Sequence, residues 1–244
     1  MALCEVKFFA QRIQKASQMT VILPDAGRGP FPVFYLLHGL SDDHTIWLRR
    51  TSIERYVAGV PLIVVMPDGG RSFYCDAVSG LPYEQYMLED VIGFVDRTFA
   101  TIPRRKGRVI GGLSMGGYGA LKLALKYPDR FCSAVSHSGC LDAARLVREQ
   151  QNPERMLIFG RRPDGGKDDL FAIARKLKRG KAPALRIDCG TEDFLLDHNR
   201  RFHAHLKRLR LPHEYEEFPG AHTWDYWDRH VQEEIAFHRK ALGI

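Results

Sequence analysis

A chain of 244 residues with 45% hydrophobic and 27% charged side chains has the balance of a globular protein with a sizeable core. No apolar run approaches the roughly 20 residues that a membrane-spanning helix needs, and the longest, Leu62-Ile63-Val64-Val65-Met66, fits a buried strand. The net charge of +7 invites a nucleic-acid partner, but its densest sources, Arg175 to Lys181 and Arg200-Arg201 with Lys207 to Arg210, read as solvated helix faces without a nucleic-acid motif, so none is expected.

In chain order, the first 23 residues hold two β-like segments with no helix between them, the second at Met19–Leu23, and predict an antiparallel hairpin at one sheet edge. Further strands are expected at Val33–Leu37, Leu62–Met66, Val109-Ile110, Cys132–Ser136, Leu185–Cys189 and Glu214–Phe218. Helix-length segments fall between and after them, at Ile46–Ala58, Tyr83–Phe99, Gly119–Lys126, Phe194–Leu209 and Trp224–Ala241; Pro128 ends the third of these. Strands alternating with helices imply β-α-β units, hence an α/β fold with a mostly parallel central sheet and helices on both faces. The simplest organisation is one domain over 1–244, with a long polar insertion from Leu141 to Leu177 that reads as a lid over a site. The five cysteines (Cys4, Cys75, Cys132, Cys140 and Cys189) are odd in number and lack a C-x-x-C, as expected of reduced thiols. Glu5 and Lys7 interrupt the apolar core that a signal peptide would need, so a cytoplasmic location is expected.

Chemistry enters at Gly112-Leu113-Ser114-Met115-Gly116, which follows the short strand Val109-Ile110 and leads into a helical pattern. A G-x-S-x-G run between strand and helix is a nucleophile elbow, which lifts the serine hydroxyl above the sheet. The turn brings backbone segments too close for side chains, and Gly111, Gly112, Gly116, Gly117 and Gly119 supply small positions there.

A serine needs a histidine to take its proton, and the histidine needs an acid to fix its tautomer. In an α/β-hydrolase these follow the serine in the order acid, histidine, each on a loop after a strand. Of ten histidines, His38 precedes Ser114; His137 has no acid candidate between itself and Ser114; His198, His203 and His205 lie within a helix; His213 opens a strand; His230 and His238 lie in the last helix. His222 alone occupies a tight loop after the last strand, in Pro219-Gly220-Ala221-His222-Thr223-Trp224. Upstream, the strand Leu185–Cys189 ends in Gly190-Thr191-Glu192-Asp193, where either Glu192 or Asp193 can be the acid, whereas Asp188 should point sideways. Because an imidazole base must be neutral, activity is expected to fall on acidification through about pH 6 to 7; a flat kcat/KM profile from pH 5 to 8 would contradict the assignment. The oxyanion hole needs two backbone N–H groups, one from Met115 after the nucleophile and one from Leu40, in the His38-Gly39-Leu40 loop after an early strand.

Several segments together resemble the esterase D-like esterases: Tyr35 to Asp42 with Trp47 nearby, Val64-Val65-Met66-Pro67-Asp68-Gly69, Gly112 to Ala120, Cys189 to Asp193, and Pro219 to Trp224. That family includes tributyrin esterases, S-formylglutathione hydrolases, feruloyl esterases and mycolyltransferases, and the likeness runs from about Thr20 to Trp227. The resemblance implies an α/β-hydrolase fold with Ser114 as nucleophile, Asp193 as acid and His222 as base, and favours Leu40 and Met115 as oxyanion donors. It is greatest to the short-chain tributyrin esterases and implies a serine carboxylesterase acting on a small-molecule ester through an acyl-enzyme. Formylglutathione hydrolysis and removal of acetyl or feruloyl groups from polysaccharide are the alternatives; Trp224, Tyr226 and Trp227 after His222 depart from the formylglutathione hydrolases. A non-catalytic binding protein on the same fold would be marked by a lost triad member, and none is lost.

Trp47, Tyr74 and Trp224 are expected to contact substrate, with Phe73, Tyr83 and Tyr86 as further wall candidates. No cofactor or metal is expected. Gly160 to Asp168 mimics a phosphate loop with the wrong spacing, His203 and His205 fall on different helix faces, and no G-x-G-x-x-G occurs. Self-association is left open by the sequence.

Overall fold

The computed structural model describes residues 1–178 and 180–244; Arg179, within the basic run noted above, lies outside the described residues. Eight strands form one sheet: β1 (Ala2–Ala10), β2 (Lys15–Leu23), β3 (Val33–Leu37), β4 (Ile63–Pro67), β5 (Arg108–Gly112), β6 (Ser133–His137), β7 (Ala184–Gly190) and β8 (Glu214–Phe218). Their order across the sheet is β1-β2-β4-β3-β5-β6-β7-β8. The N-terminal hairpin is antiparallel and joins β4 antiparallel; every pairing from β4 through β3 to β8 is parallel. This is the expected α/β architecture with its antiparallel edge.

The central strands are apolar on both faces because helices cover both. In β3, Val33, Tyr35 and Leu37 join the core on one face while Phe34 and Leu36 join the core on the other. In β4, Ile63 and Val65 alternate in the same way with Val64 and Met66. Period-2 alternation of side chains makes this division automatic.

The helices are α1 (Ile46–Arg50), α2 (Ile53–Tyr56), α3 (Tyr83–Gln85), α4 (Ile92–Thr98), α5 (Met115–Lys126), α6 (Ala143–Gln150), α7 (Pro153–Phe159), α8 (Leu170–Lys176), α9 (Leu196–Arg208) and α10 (Trp224–Leu242). Two expected helices are interrupted. The segment Ile46–Ala58 breaks at Thr51, whose hydroxyl donates to Trp47 O at 2.6 Å and accepts from Ile53 N–H at 3.2 Å. Side-chain bonds of this kind compete with the helical ladder. Between α3 and α4, Tyr86–Val91 forms a π-helical turn, inside which Tyr86 is buried and hydrogen-bonded to Ser17 at 2.7 Å.

The expected insertion folds into α6, α7 and α8. Asp142 and Asn152 cap the first two, accepting from Arg145 N–H and Arg155 N–H, and Pro153 opens α7 where its missing N–H costs nothing. On α5, Lys122 is fully buried; its ammonium donates to Tyr74 O at 2.8 Å, Glu84 at 2.6 Å and Asp168 at 3.3 Å. These bonds tie the elbow helix to the turn at Phe73-Tyr74 and to the segment before α8.

Candidate active site

Ser114 stands at the turn from β5 into α5 with φ 52° and ψ −113°, a region that side chains other than glycine rarely occupy. Such strain costs on the order of 1–3 kcal/mol and persists where surrounding bonds over-determine it. Here the Ser114 N–H donates to His137 O at 2.9 Å, and Ser114 O accepts from Tyr118 N–H at 3.0 Å and Cys140 N–H at 3.1 Å. Two glycines make the turn sterically feasible. A Cβ at Gly112 would run into Leu37 O, and one at Gly116 would lie 2.5 Å from the same oxygen.

His222 lies in the loop between β8 and α10, and its Nε2 is 3.1 Å from Ser114 Oγ. On its other side, His222 Nδ1 is 2.8 Å from Asp193 Oδ2. The carboxylate only accepts, so Nδ1 carries the proton and Nε2 is left to accept from the serine hydroxyl. Asp193 is held in turn by Leu195 N–H, which donates to its second oxygen at 2.8 Å. The alternative acid, Glu192, turns away: its carboxylate accepts from the Thr191 hydroxyl and from Gly220 N–H and does not touch His222. The His222 ring is flanked by Phe194, at 4.5 Å between ring centroids, and by the edge of Trp227 at 4.8 Å.

A cavity of about 360 Å³ opens over Ser114 and His222, and Leu40 and Met115 both line it. Among the described residues, neither the Leu40 N–H nor the Met115 N–H donates to a protein acceptor, so both are available to an oxyanion. The Leu40 loop is fixed by His38. His38 accepts from Gly69 N–H at Nε2, at 2.8 Å, so its proton sits on Nδ1 and points at Gly39 O, 2.7 Å away. His38 precedes Ser114 and so is no candidate base, and its partner Gly69 lies 31 residues further on, beyond any local pattern.

Of the three expected substrate contacts, Trp224 lines the cavity, while Trp47 and Tyr74 do not. Both are fully buried, with their polar tips spent on the backbone of β3 and the loop after it: Trp47 Nε1–H donates to Leu37 O at 3.2 Å and the Tyr74 hydroxyl to His38 O at 3.1 Å. Of the other wall candidates, Phe73 lines the cavity, whereas Tyr83 and Tyr86 do not.

Beneath the site lies a second polar cluster. His137, at the end of β6, is fully buried with Nδ1 2.9 Å from Asp188 Oδ1 and Nε2 2.8 Å from Glu234 Oε2. Burial disfavours its charged form, but the flanking carboxylates of Asp188 and Glu234 outweigh this and push its pKa up to about 10. His137 has no acid candidate between itself and Ser114 in the chain; its partners come from further on, Asp188 on β7 and Glu234 on α10.

Against this geometry stand the comparisons with known proteins. The family model described as "Putative esterase" matches residues 10–238. The chain belongs to that family. It is 30% identical to an acetyl esterase of Caldicellulosiruptor saccharolyticus, with 95% of this chain and 96% of the relative covered. Among solved structures it is similar to FphF, a fluorophosphonate-binding serine hydrolase of Staphylococcus aureus, at 33% identity and TM-score 0.88, covering 97% of this chain and 98% of that one. An S-formylglutathione hydrolase (FrmB) of the same organism gives 33% identity, TM-score 0.87 and the same coverage. The esterase is therefore a serine ester hydrolase of α/β-hydrolase fold. Among its described residues, no helix is long and apolar enough to cross a membrane.

Proposed function

We propose that this esterase cleaves short-chain acyl esters, tributyrin among them, through an acyl-enzyme on Ser114. The observation that carries the reading is the continuous hydrogen-bonded chain from Ser114 Oγ through His222 to Asp193, at 3.1 Å and 2.8 Å. In the proposed cycle, Ser114 Oγ attacks the ester carbonyl as His222 Nε2 accepts its proton. Asp193 stays ionised, orients the ring and stabilises the imidazolium, and the N–H groups of Leu40 and Met115 hold the negative oxygen. The C–O bond of the leaving alcohol then breaks as His222 returns the proton to it. Water, deprotonated by His222, attacks the acyl-enzyme and releases the acid and free Ser114. The cavity of about 360 Å³ lies near the lower end of the usual range for ligand sites and suits a small substrate. The segment from Leu141 to Leu177 acts in this reading as a cap, since Leu146 of α6 and Arg155 of α7 line the cavity.

A second reading, thioester hydrolysis of S-formylglutathione, is supported by the likeness to the staphylococcal hydrolase. Parallel assay of tributyrin, S-formylglutathione, an acetylated sugar and methyl ferulate separates the readings. Tributyrin turnover well above the others supports the first; dominant formylglutathione turnover replaces it. The two neighbouring carboxylates give a sharper check on the roles. Asp193→Asn is expected to lower kcat by about four orders of magnitude, because an amide cannot hold the required tautomer. Glu192→Gln should change kcat less than tenfold, as its bonds go to Thr191 and Gly220. The reverse ranking would move the acid to Glu192.

A further inference from the structure

The cap presents one charged side chain to the cavity. Arg155 lines it beside Leu146 and Phe194, and its side-chain hydrogen bond goes to Gln150 Oε1, a neutral acceptor. Among the described residues no carboxylate forms an ion pair with Arg155. Its neighbours in the cap are matched: Arg145 with Glu149 and Asp197, and Arg148 with Asp164. Glu154, the adjacent acid, is taken by Arg71, which holds it with two hydrogen bonds. The one carboxylate in the cavity wall, Asp42, belongs to the loop after β3 and makes no ion pair with Arg155. Arg155 shares this cavity wall with Ser114 and His222. A guanidinium at the wall of this recess, hydrogen-bonded to a neutral amide and in no carboxylate ion pair among the described residues, keeps donors that a planar anion can satisfy.

We propose that Arg155 is a specificity residue that binds a carboxylate on the substrate, away from the scissile bond, so that the enzyme favours anionic acyl donors. This rests on the serine-esterase reading and deepens it by naming a substrate class. The carboxylate can sit on the acyl half or on the leaving group, and matched substrates tell the two apart. Mono-p-nitrophenyl succinate paired with p-nitrophenyl butyrate reports on the acyl half; p-acetoxybenzoate paired with phenyl acetate reports on the leaving group. In each pair the quantity of interest is the ratio of kcat/KM for the charged member to that for the neutral one. Arg155→Gln is expected to lower this ratio about tenfold or more in the pair whose carboxylate meets the guanidinium. Arg155→Lys, which keeps the charge and loses the fork, should lose only part of it. A ratio unchanged by Arg155→Gln in both pairs, in an enzyme that turns these esters over, overturns the proposal alone. A wild-type enzyme inactive on all four overturns the serine-esterase reading and this proposal with it.

Discussion

Ser114→Ala is expected to lower kcat for p-nitrophenyl acetate by about five to six orders of magnitude and to abolish the acyl-enzyme burst. The size of the effect follows from the unit to which the hydroxyl belongs. With Oγ removed, the imidazole has nothing to activate, and only the oxyanion donors and binding remain. The variant should fold, because among the described residues the hydroxyl's one protein partner is His222 at 3.1 Å and the strained backbone is held by main-chain bonds. Labelling by a fluorophosphonate probe should vanish in step with the burst. An undiminished burst in the folded variant would place the nucleophile elsewhere.

His137→Ala is expected to be the most destabilising single change near the site. It would leave the buried carboxylates of Asp188 and Glu234 without the cation between them. Removing one partner of a buried ion pair costs about 3–5 kcal/mol, which for a domain of this size lowers Tm by on the order of 10 °C. Other groups border the cluster. The Tyr226 hydroxyl donates to Asp188 at 3.0 Å, Arg186 Nε approaches Asp188 at 3.8 Å, and His238 bonds Glu234 at 3.3 Å. His238 itself is buried and its pKa lowered by that burial, so the positive charge of the cluster is carried by His137 and Arg186.

The pH dependence has a definite sign. The folded state raises the His137 pKa above that of a free imidazole, so its stabilisation is fully present below about pH 6.5 and is lost as pH rises through about 10. Thermal melts of wild type and His137→Ala should therefore differ most below about pH 6.5 and converge as pH rises toward 10. A Tm difference that stays constant from pH 7 to pH 10.5 would show that His137 is not charged in the folded protein. Because His137 O accepts from Ser114 N–H at 2.9 Å, the cluster also supports the elbow from below.

How far these features were legible in the chain depends on the distance over which each acts. The elbow was readable because strand, glycines and helix are adjacent in sequence, and sterics at Gly112 and Gly116 leave no other residue type. His222 and the Glu192-Asp193 pair were readable as strand-end loops, but which carboxylate reaches the ring was not. Thr191 and Gly220 capture Glu192, a choice made by loop packing between β7 and β8. Aromatic side chains misled for the same reason. Trp47 is fully buried while Trp224 lines the cavity, although their rings meet edge-on at 5.3 Å.

The sequence alone determined the α/β alternation, the antiparallel edge, the elbow and the pool from which acid and base are drawn, because hydrophobic period and turn chemistry are local properties. Tertiary structure alone decided the Asp193 contact, the His38 bonds that hold the Gly39-Leu40 loop, the Asp188–His137–Glu234 cluster and the place of Arg155 in the cavity wall. Each of these joins side chains from elements distant in the chain, and neither spacing nor composition specifies which polar groups face one another once the sheet closes and its helices settle on it.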